Sequence, residues 1–116
     1  MNRKIVRRVL EGKFNIVDEA ENGYEAINMF QKAAESDKPY HLVMMDSQMP
    51  VMNGLEATKG IKALLDKVTV VGVTGNALKH EIDSFLDAGA DKVMVKPLNL
   101  EEFYGYINKM EIDKKI

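Results

Sequence analysis

Short apolar runs alternate with helix-starting signals along most of this 116-residue chain. Several amphipathic stretches begin with an Asn that is followed three residues later by a Glu, which is the spacing of a helix capping box. These pairs are Asn22 with Glu25, Asn53 with Glu56, and Asn99 with Glu102. Such alternation indicates parallel strands joined by right-handed helical crossovers, so we expect an α/β fold with helices on both faces of a sheet.

The periodicity of the apolar residues predicts five helices and four strands, beginning and ending with a helix. The helices are predicted around residues 5–10, 23–35, 55–65, 78–86 and 100–110, and the strands at residues 14–20, 41–46, 68–74 and 93–95. Gly12 is placed to end the first helix, and Gly89 to end the fourth in the left-handed conformation.

Composition favours one domain over residues 1–116 and narrows the classes of function. Hydrophobic residues make up 46% of the chain, enough for one core. The formal net charge of -2 predicts no direct binding of nucleic acid or of a membrane surface. The absence of cysteine and the separation of the two histidines argue against disulfides and a zinc site. Because no long uninterrupted apolar stretch suggests a signal peptide or a membrane span, we expect a cytoplasmic or nuclear location.

Three of the predicted strands end on residues with complementary chemistry. Asp46, Thr74 and Lys96 each follow a short apolar run and precede a turn, so a parallel sheet would bring them to one edge. A carboxylate nucleophile, a hydroxyl donor and an ammonium counter-charge suit a phosphoryl group, and Gly75 leaves room for a phosphoryl oxygen beside Thr74. The structural alternative is a buried Asp–Lys ion pair with a capping Thr. The coincidence of three strand ends favours the functional interpretation.

Four ordered motifs carry a family resemblance. They are Asp46-Ser47-Gln48-Met49-Pro50 with Gly54, Val73-Thr74-Gly75-Asn76-Ala77, Gly89-Ala90-Asp91, and Lys96-Pro97-Leu98. Together they resemble the receiver domain of two-component response regulators and hybrid histidine kinases, over essentially the whole chain. The resemblance implies a flavodoxin-like, doubly wound parallel sheet of the receiver type. The Thr-Gly-Asn motif is more similar to receivers of plants and hybrid kinases, and it suggests cytokinin signalling.

The resemblance also implies roles for individual residues. Asp46 would accept a phosphoryl group from phosphohistidine on a histidine phosphotransfer protein or a histidine kinase, and Thr74 and Lys96 would hold that group. Magnesium would bind Asp46 and the backbone carbonyl of Gln48. The family's Lys–Pro bond, here Lys96–Pro97, is usually cis, an isomer that only proline permits at modest cost. A domain of this kind is a phosphoacceptor rather than an enzyme, with at most self-phosphorylation and slow self-dephosphorylation.

The chain departs from the family at its start. Receivers begin with an apolar strand that ends in an acidic pair for magnesium, whereas residues 1–4 align with the helix that follows it. In the family this strand lies in the middle of the sheet, between the strands of Ile16 and Met44. Loss of this strand removes the stabilising free energy of burying its apolar side chains, on the order of 10 kcal/mol, which is comparable to the stability of a whole domain. We therefore expect an N-terminally truncated receiver that is poorly stable, self-associates through the open sheet and binds magnesium weakly.

Two functions stay open at this point. The first is an active phosphoacceptor in a phosphorelay. The alternative is a phosphorylation-impaired receiver-like protein, which would bind a histidine phosphotransfer partner through the basic first helix without turnover. Replacement acids would favour the first function, if the strand of Ile16 paired directly with the strand of Asp46. The candidates are Asp18, Glu19 and Glu21.

Overall fold

The fold is that of a computed structural model, which describes residues 3–110. The helices are α1 (Arg3–Glu11), α2 (Gly23–Glu35), α3 (Gly54–Leu64), α4 (Lys79–Ala88) and α5 (Leu100–Lys109). The strands are β1 (Leu42–Asp46), β2 (Thr69–Thr74) and β3 (Lys92–Val95). These elements belong to two compact units, one containing α1 and α5 and the other spanning Glu19–Lys96.

Within residues 3–110 the strands form one parallel sheet in the order β1-β2-β3. Asp46 at the end of β1 lies opposite Val73, and Thr74 at the end of β2 lies opposite Val95. The central strand β2 is buried from Val70 to its last residue, as expected for a strand covered on both faces. The predicted parallel α/β architecture is confirmed, and the three strands end at one edge.

The strand predicted at residues 14–20 does not form. Ile16 is 65% exposed, and the Val17 carbonyl accepts a hydrogen bond from Arg7 Nη2 at 2.9 Å. A strand is stable only where a neighbouring strand satisfies its backbone groups and one face is buried. The prediction of four strands was therefore wrong for the described residues, because a short apolar pattern does not reveal whether a partner strand is present.

Each Asn of the three capping pairs caps its helix. Asn22, Asn53 and Asn99 accept, through their side-chain oxygens, the backbone N–H of Glu25, Glu56 and Glu102 at 2.8, 3.0 and 2.9 Å. The predicted bounds of the second helix, residues 23–35, are those of α2. The end of α4 is also as predicted, because Gly89 has a φ of 118°, in the left-handed region.

The core of the Glu19–Lys96 unit lies between the sheet and helices α2, α3 and α4. Gly72 of β2 makes room for Phe85 of α4, since a Cβ at Gly72 would come within 2.7 Å of the ring. Gly60 of α3 likewise lets Ile27 of α2 approach closely. The buried members of this core are Phe30, Met45, Ala57, Ile61, Val68, Val70, Phe85 and Ala90.

The apolar stripes predicted for the fourth and fifth helices are wider than their buried faces. In α4, Phe85 is buried, whereas Leu78 at the N-cap and Leu86 are exposed. The same division holds in α5, where Phe103 and Ile107 are buried and Leu100 and Tyr104 are exposed. A helix of ten residues buries only a narrow line of i, i+3 and i+4 positions.

In the unit that contains α1 and α5, the buried side chains include Val6, Phe103 and Ile107. Lys13 Nζ lies 3.5 Å from the backbone oxygen of Asn108, so the segment after α1 contacts α5. Across residues 3–110, no helix combines the length and the apolar character needed to cross a membrane.

Lys62 and Asp91 join the amino ends of β2 and β3. Lys62 Nζ donates to the backbone oxygens of Asp66 and Val68 at 3.2 and 2.6 Å, and to Asp91 Oδ2 at 2.9 Å. The same Asp91 oxygen accepts the Val70 N–H at 2.8 Å. One largely buried ammonium thus satisfies the loop before β2 and, through Asp91, holds the start of β3.

We expect Lys62→Met to lower the free energy of unfolding by about 2–3 kcal/mol, because it removes charged hydrogen bonds and leaves their acceptors unpaired. Urea denaturation should show a lower midpoint with an unchanged slope. Lys59→Met, at an exposed position of the same helix, is the matched control and should change stability by less than about 0.5 kcal/mol. Equal midpoints for the two variants would contradict this role of Lys62.

Candidate functional site

Asp46 and Lys96 meet at the carboxyl edge of the sheet. Lys96 follows β3, and its backbone N–H donates to the Thr74 carbonyl at 2.8 Å, which extends the ladder by one residue. Its Nζ lies 2.9 Å from Asp46 Oδ2 and donates a hydrogen bond to it. The two side chains are 29% and 24% exposed, so the ion pair is partly shielded but open to a ligand. The structure therefore brings together the acid and the base that the sequence placed at two strand ends.

The loop after β1 fixes the Asp46 carboxylate from its other side. Asp46 Oδ1 accepts the backbone N–H of Gln48 at 3.1 Å. The loop then folds back so that the Gly54 N–H donates to the Ser47 carbonyl at 3.1 Å. A Cβ at Gly54 would overlap the Asp46 carbonyl oxygen, so only glycine permits the start of α3 to approach the end of β1 this closely.

The same loop contains a strained turn that the sequence did not indicate. Val51 has a φ of 71°, and the Met52 N–H donates to the Pro50 carbonyl at 2.7 Å, which closes a γ-turn. A β-branched residue is disfavoured in this region of backbone space. Val51 is 84% exposed, so the turn holds an apolar side chain out in solvent beside the site.

Thr74 ends β2 next to the ion pair and is 1% exposed. Its Oγ1 accepts the Asn76 N–H at 3.1 Å, and Asn76 Oδ1 in turn accepts the Leu78 N–H at 2.9 Å. Because the hydroxyl acts as an acceptor in this contact, its own hydrogen can still be donated. A Cβ at Gly75 would meet nothing within 4 Å, so the space beside Thr74 is open.

A groove of about 570 Å³ opens at this edge of the sheet. It is lined by Ser47, Gln48, Met49, Pro50, Asn53, Leu55, Thr74 and Glu81. Glu81 lies in this lining although its only signal in the sequence is its place as an acidic residue in the first turn of a helix. Glu81 is half-buried and is the one charged member of this lining. Lys79, two residues before Glu81, donates a hydrogen bond to Asp83 at 2.7 Å. This hydrogen bond is the larger cause of the raised pKa of Lys79, and the negative charge of Asp83 is the smaller one.

The donor set at the site suits magnesium only partly. Among residues 3–110, no three acidic or histidine side chains converge, and within the Glu19–Lys96 unit Glu19 and Glu21 form no such metal cluster with Asp46. Asp46 supplies one carboxylate, which already pairs with Lys96, and the exposed Gln48 supplies a backbone carbonyl. Magnesium favours six oxygen ligands and keeps several waters, so these two residues fit a weak site completed by water.

Comparison with known proteins identifies the family of this chain. Residues 1–108 match the response regulator receiver domain family. A two-component response regulator of Oryza sativa subsp. japonica is 41% identical over 104 residues, which cover 88% of this chain and 80% of the relative. The solved receiver domain of a sensor histidine kinase from Pseudomonas aeruginosa, with magnesium in its active-site cleft, has a TM-score of 0.77. At 23% identity, covering 93% of this chain and 86% of that one, it supports the fold alone.

A second solved structure shows a receiver domain with a partner. It contains the Saccharomyces cerevisiae histidine phosphotransfer protein Ypd1 and the receiver domain of its downstream response regulator Ssk1. The match has a TM-score of 0.72 and 26% identity, and it covers 97% of this chain and 86% of that one. The resemblance found in the motifs and the predicted receiver-type fold are thus confirmed. The chain belongs to the response regulator receiver domain family and is a receiver of two-component phosphorelay signalling.

Proposed function

We propose that Asp46 is the phosphoacceptor and that it takes its phosphoryl group from phosphohistidine on a histidine phosphotransfer protein or a histidine kinase. The observation that carries this proposal is the 2.9 Å contact between Asp46 Oδ2 and Lys96 Nζ, beside an open groove. A purely structural ion pair would have no need of a groove at its side. Receiver domains are signalling domains, and we infer that this one has no enzymatic activity beyond self-phosphorylation and slow self-dephosphorylation.

The proposed transfer uses groups that the structure holds in place. An Asp46 carboxylate oxygen attacks phosphorus and forms the new P–O bond, while the P–N bond to the donor imidazole breaks. The imidazole keeps the electron pair of that bond and leaves neutral if its other nitrogen carries a proton. Lys96 Nζ would then pair with a phosphoryl oxygen, and the Thr74 hydroxyl would donate to another.

Magnesium, when bound by Asp46 and the Gln48 carbonyl, would supply positive charge against the phosphoryl oxygens. We propose that its affinity is low, since a single carboxylate and a single carbonyl of the described chain are offered to it. Lys96 already stands beside Asp46, so part of the charge neutralisation comes from the protein itself. The cis form of the Lys96–Pro97 bond remains a prediction.

The partner is proposed from the same edge of the sheet. The co-crystal structure of Ypd1 with the Ssk1 receiver shows that a domain of this family binds a histidine phosphotransfer protein. In this chain the groove is lined by Ser47 and Gln48, which directly follow Asp46, so a donor histidine would reach Asp46 at this edge of the sheet. We further propose that residues 1–116 act as one receiver domain in the cytoplasm or the nucleus, since the family match spans both compact units.

We expect Asp46→Asn to abolish phosphorylation, because the amide lacks a nucleophilic carboxylate oxygen. The measurement is intact-mass analysis after incubation with a phosphorylated histidine phosphotransfer protein and magnesium. Asp87→Asn, which removes an exposed carboxylate from α4, is the matched control and should be labelled like wild type. Equal labelling of the Asp46 and Asp87 variants would overturn the assignment of Asp46.

The described part of the sheet also has an open edge at β1. Alternate backbone groups of this strand, at Leu42, Met44 and Asp46, point away from β2 and have no strand partner within residues 3–110. Apolar edges of this kind recruit other strands. We propose that a second copy of the chain pairs with this open edge.

Appending a short apolar strand that ends in Asp-Asp before Met1 should give a monomer, raise the melting temperature and tighten magnesium binding together. Analytical ultracentrifugation, thermal unfolding and magnesium titration measure the three effects. A Gly-Ser extension of equal length is the control and should change none of them. If the unmodified chain is a cooperatively folding monomer whose metal affinity does not improve with the appended strand, the proposal that a second copy pairs with the β1 edge fails.

A further inference from the structure

Glu81 occupies a position from which it can act on any ligand that reaches Asp46 through the groove. The groove runs past Gln48, whose N–H is bound to Asp46, and past Thr74, which ends the neighbouring strand. Of the side chains that line it, Glu81 alone is charged. A ligand that occupies this groove therefore lies beside one carboxylate, that of Glu81.

The charge of Glu81 is not neutralised within the described chain. Its carboxylate takes part in no hydrogen bond or ion pair among residues 3–110. Lys79, two residues before Glu81, is paired with Asp83, and Lys96 at the site is paired with Asp46. A half-buried carboxylate without a counter-charge produces a negative potential that is screened less than one on an open surface.

This potential affects phosphodonors unequally. An acyl phosphate such as acetyl phosphate approaches as a dianion, and its leaving group departs as a carboxylate. A phosphoramidate carries a protonated nitrogen beside its phosphoryl group, as phosphohistidine carries an imidazole that can be protonated. The cationic part of such a donor is attracted by Glu81 while its phosphoryl group goes to Lys96.

We propose that Glu81 is a specificity-determining residue, which favours phosphodonors with a protonated nitrogen leaving group over acyl phosphates. This inference rests on the proposed phosphorylation of Asp46. In the favoured reaction the Asp46 oxygen bonds to phosphorus, the P–N bond breaks, and the nitrogen leaves with its electron pair as a neutral amine or imidazole. Glu81 contacts the donor in the groove and exchanges no proton in this step.

A purely structural role is the competing explanation, because Glu81 is the third residue of α4 and stabilises the helix dipole there. The chain contains a matched control for that role. Glu56 is the third residue of α3 and is exposed, and it does not line the groove. Glu81→Gln and Glu56→Gln therefore remove the same charge from the same helical position, but only the first changes the groove.

The test compares the rate constants for phosphorylation of Asp46 by acetyl phosphate and by phosphoramidate, read by intact mass. We expect Glu81→Gln to raise the acetyl phosphate rate about three- to tenfold, with less than about twofold change for phosphoramidate, because one charge acts on a dianion at partial screening. The effect should shrink as salt is raised from about 0.05 to 0.5 M. Glu56→Gln should keep the wild-type ratio of the phosphoramidate rate constant to the acetyl phosphate rate constant. Glu81→Asp keeps the negative charge, so its ratio should stay close to that of wild type.

The outcomes separate the two proposals. If wild type and Glu81→Gln are both phosphorylated with the same ratio of donor rates, or if the altered ratio does not depend on salt, the specificity role of Glu81 is overturned while Asp46 remains the acceptor. If neither donor phosphorylates the wild-type chain and the histidine phosphotransfer protein also fails, the proposed function is overturned, and this inference with it.

Discussion

Parallel pairing on both sides of β2 is the constraint on which the rest of the structure depends. Asp46 and Lys96 are fifty residues apart in sequence; Asp46 ends one outer strand of the described sheet, and Lys96 directly follows the other. They meet because both strands keep the same direction and register along β2, so that their carboxyl ends coincide. The central strand must accept a helix closely as well, and Gly72 provides that by leaving room for Phe85.

The two edges of this sheet have different physical tasks. At the amino edge, Lys62 and Asp91 form an ion pair and also hydrogen-bond to the surrounding backbone, so both charged groups stabilise the fold. At the carboxyl edge, the ion pair of Asp46 and Lys96 is only partly shielded and lies next to a groove. Similar side chains thus hold the fold at one end and stay partly open to solvent at the other, where we propose that a phosphoryl group binds.

The loop between β1 and α3 shows what the open edge requires. Gly54 allows α3 to begin against the end of β1. The tight turn at Val51 reverses the loop between these two elements within a few residues. Backbone strain at an exposed β-branched residue is unfavourable by itself, on the order of 1–3 kcal/mol, and persists where the surrounding structure determines it. Here the capped start of α3 and the bond from Gly54 to Ser47 supply that constraint.

The helix caps, the left-handed glycine and the direction of the strands could be predicted from the sequence because they depend on local chemistry. Asn22, Asn53 and Asn99 cap helices wherever the chain places them, Gly89 takes a left-handed turn for steric reasons, and strands that alternate with helices run parallel. The convergence of Asp46 and Lys96 follows from that topology without any knowledge of distances. Composition and pattern were sufficient for the fold class and for the two charged residues at the site.

Other features were decided only in the tertiary structure. Residues 14–20 have a strand-like pattern, but a strand needs a partner, and no partner can be seen in a local window. Lys62 donates to three acceptors that are four to twenty-nine residues away in sequence, so no periodic pattern predicts these hydrogen bonds. Glu81 has the same local role as Glu56 in sequence, and only the packing of α4 beside Thr74 makes one of them line the groove. The sequence by itself determined the local geometry and the order of the elements, whereas contact across elements determined which charges are paired and which line the groove.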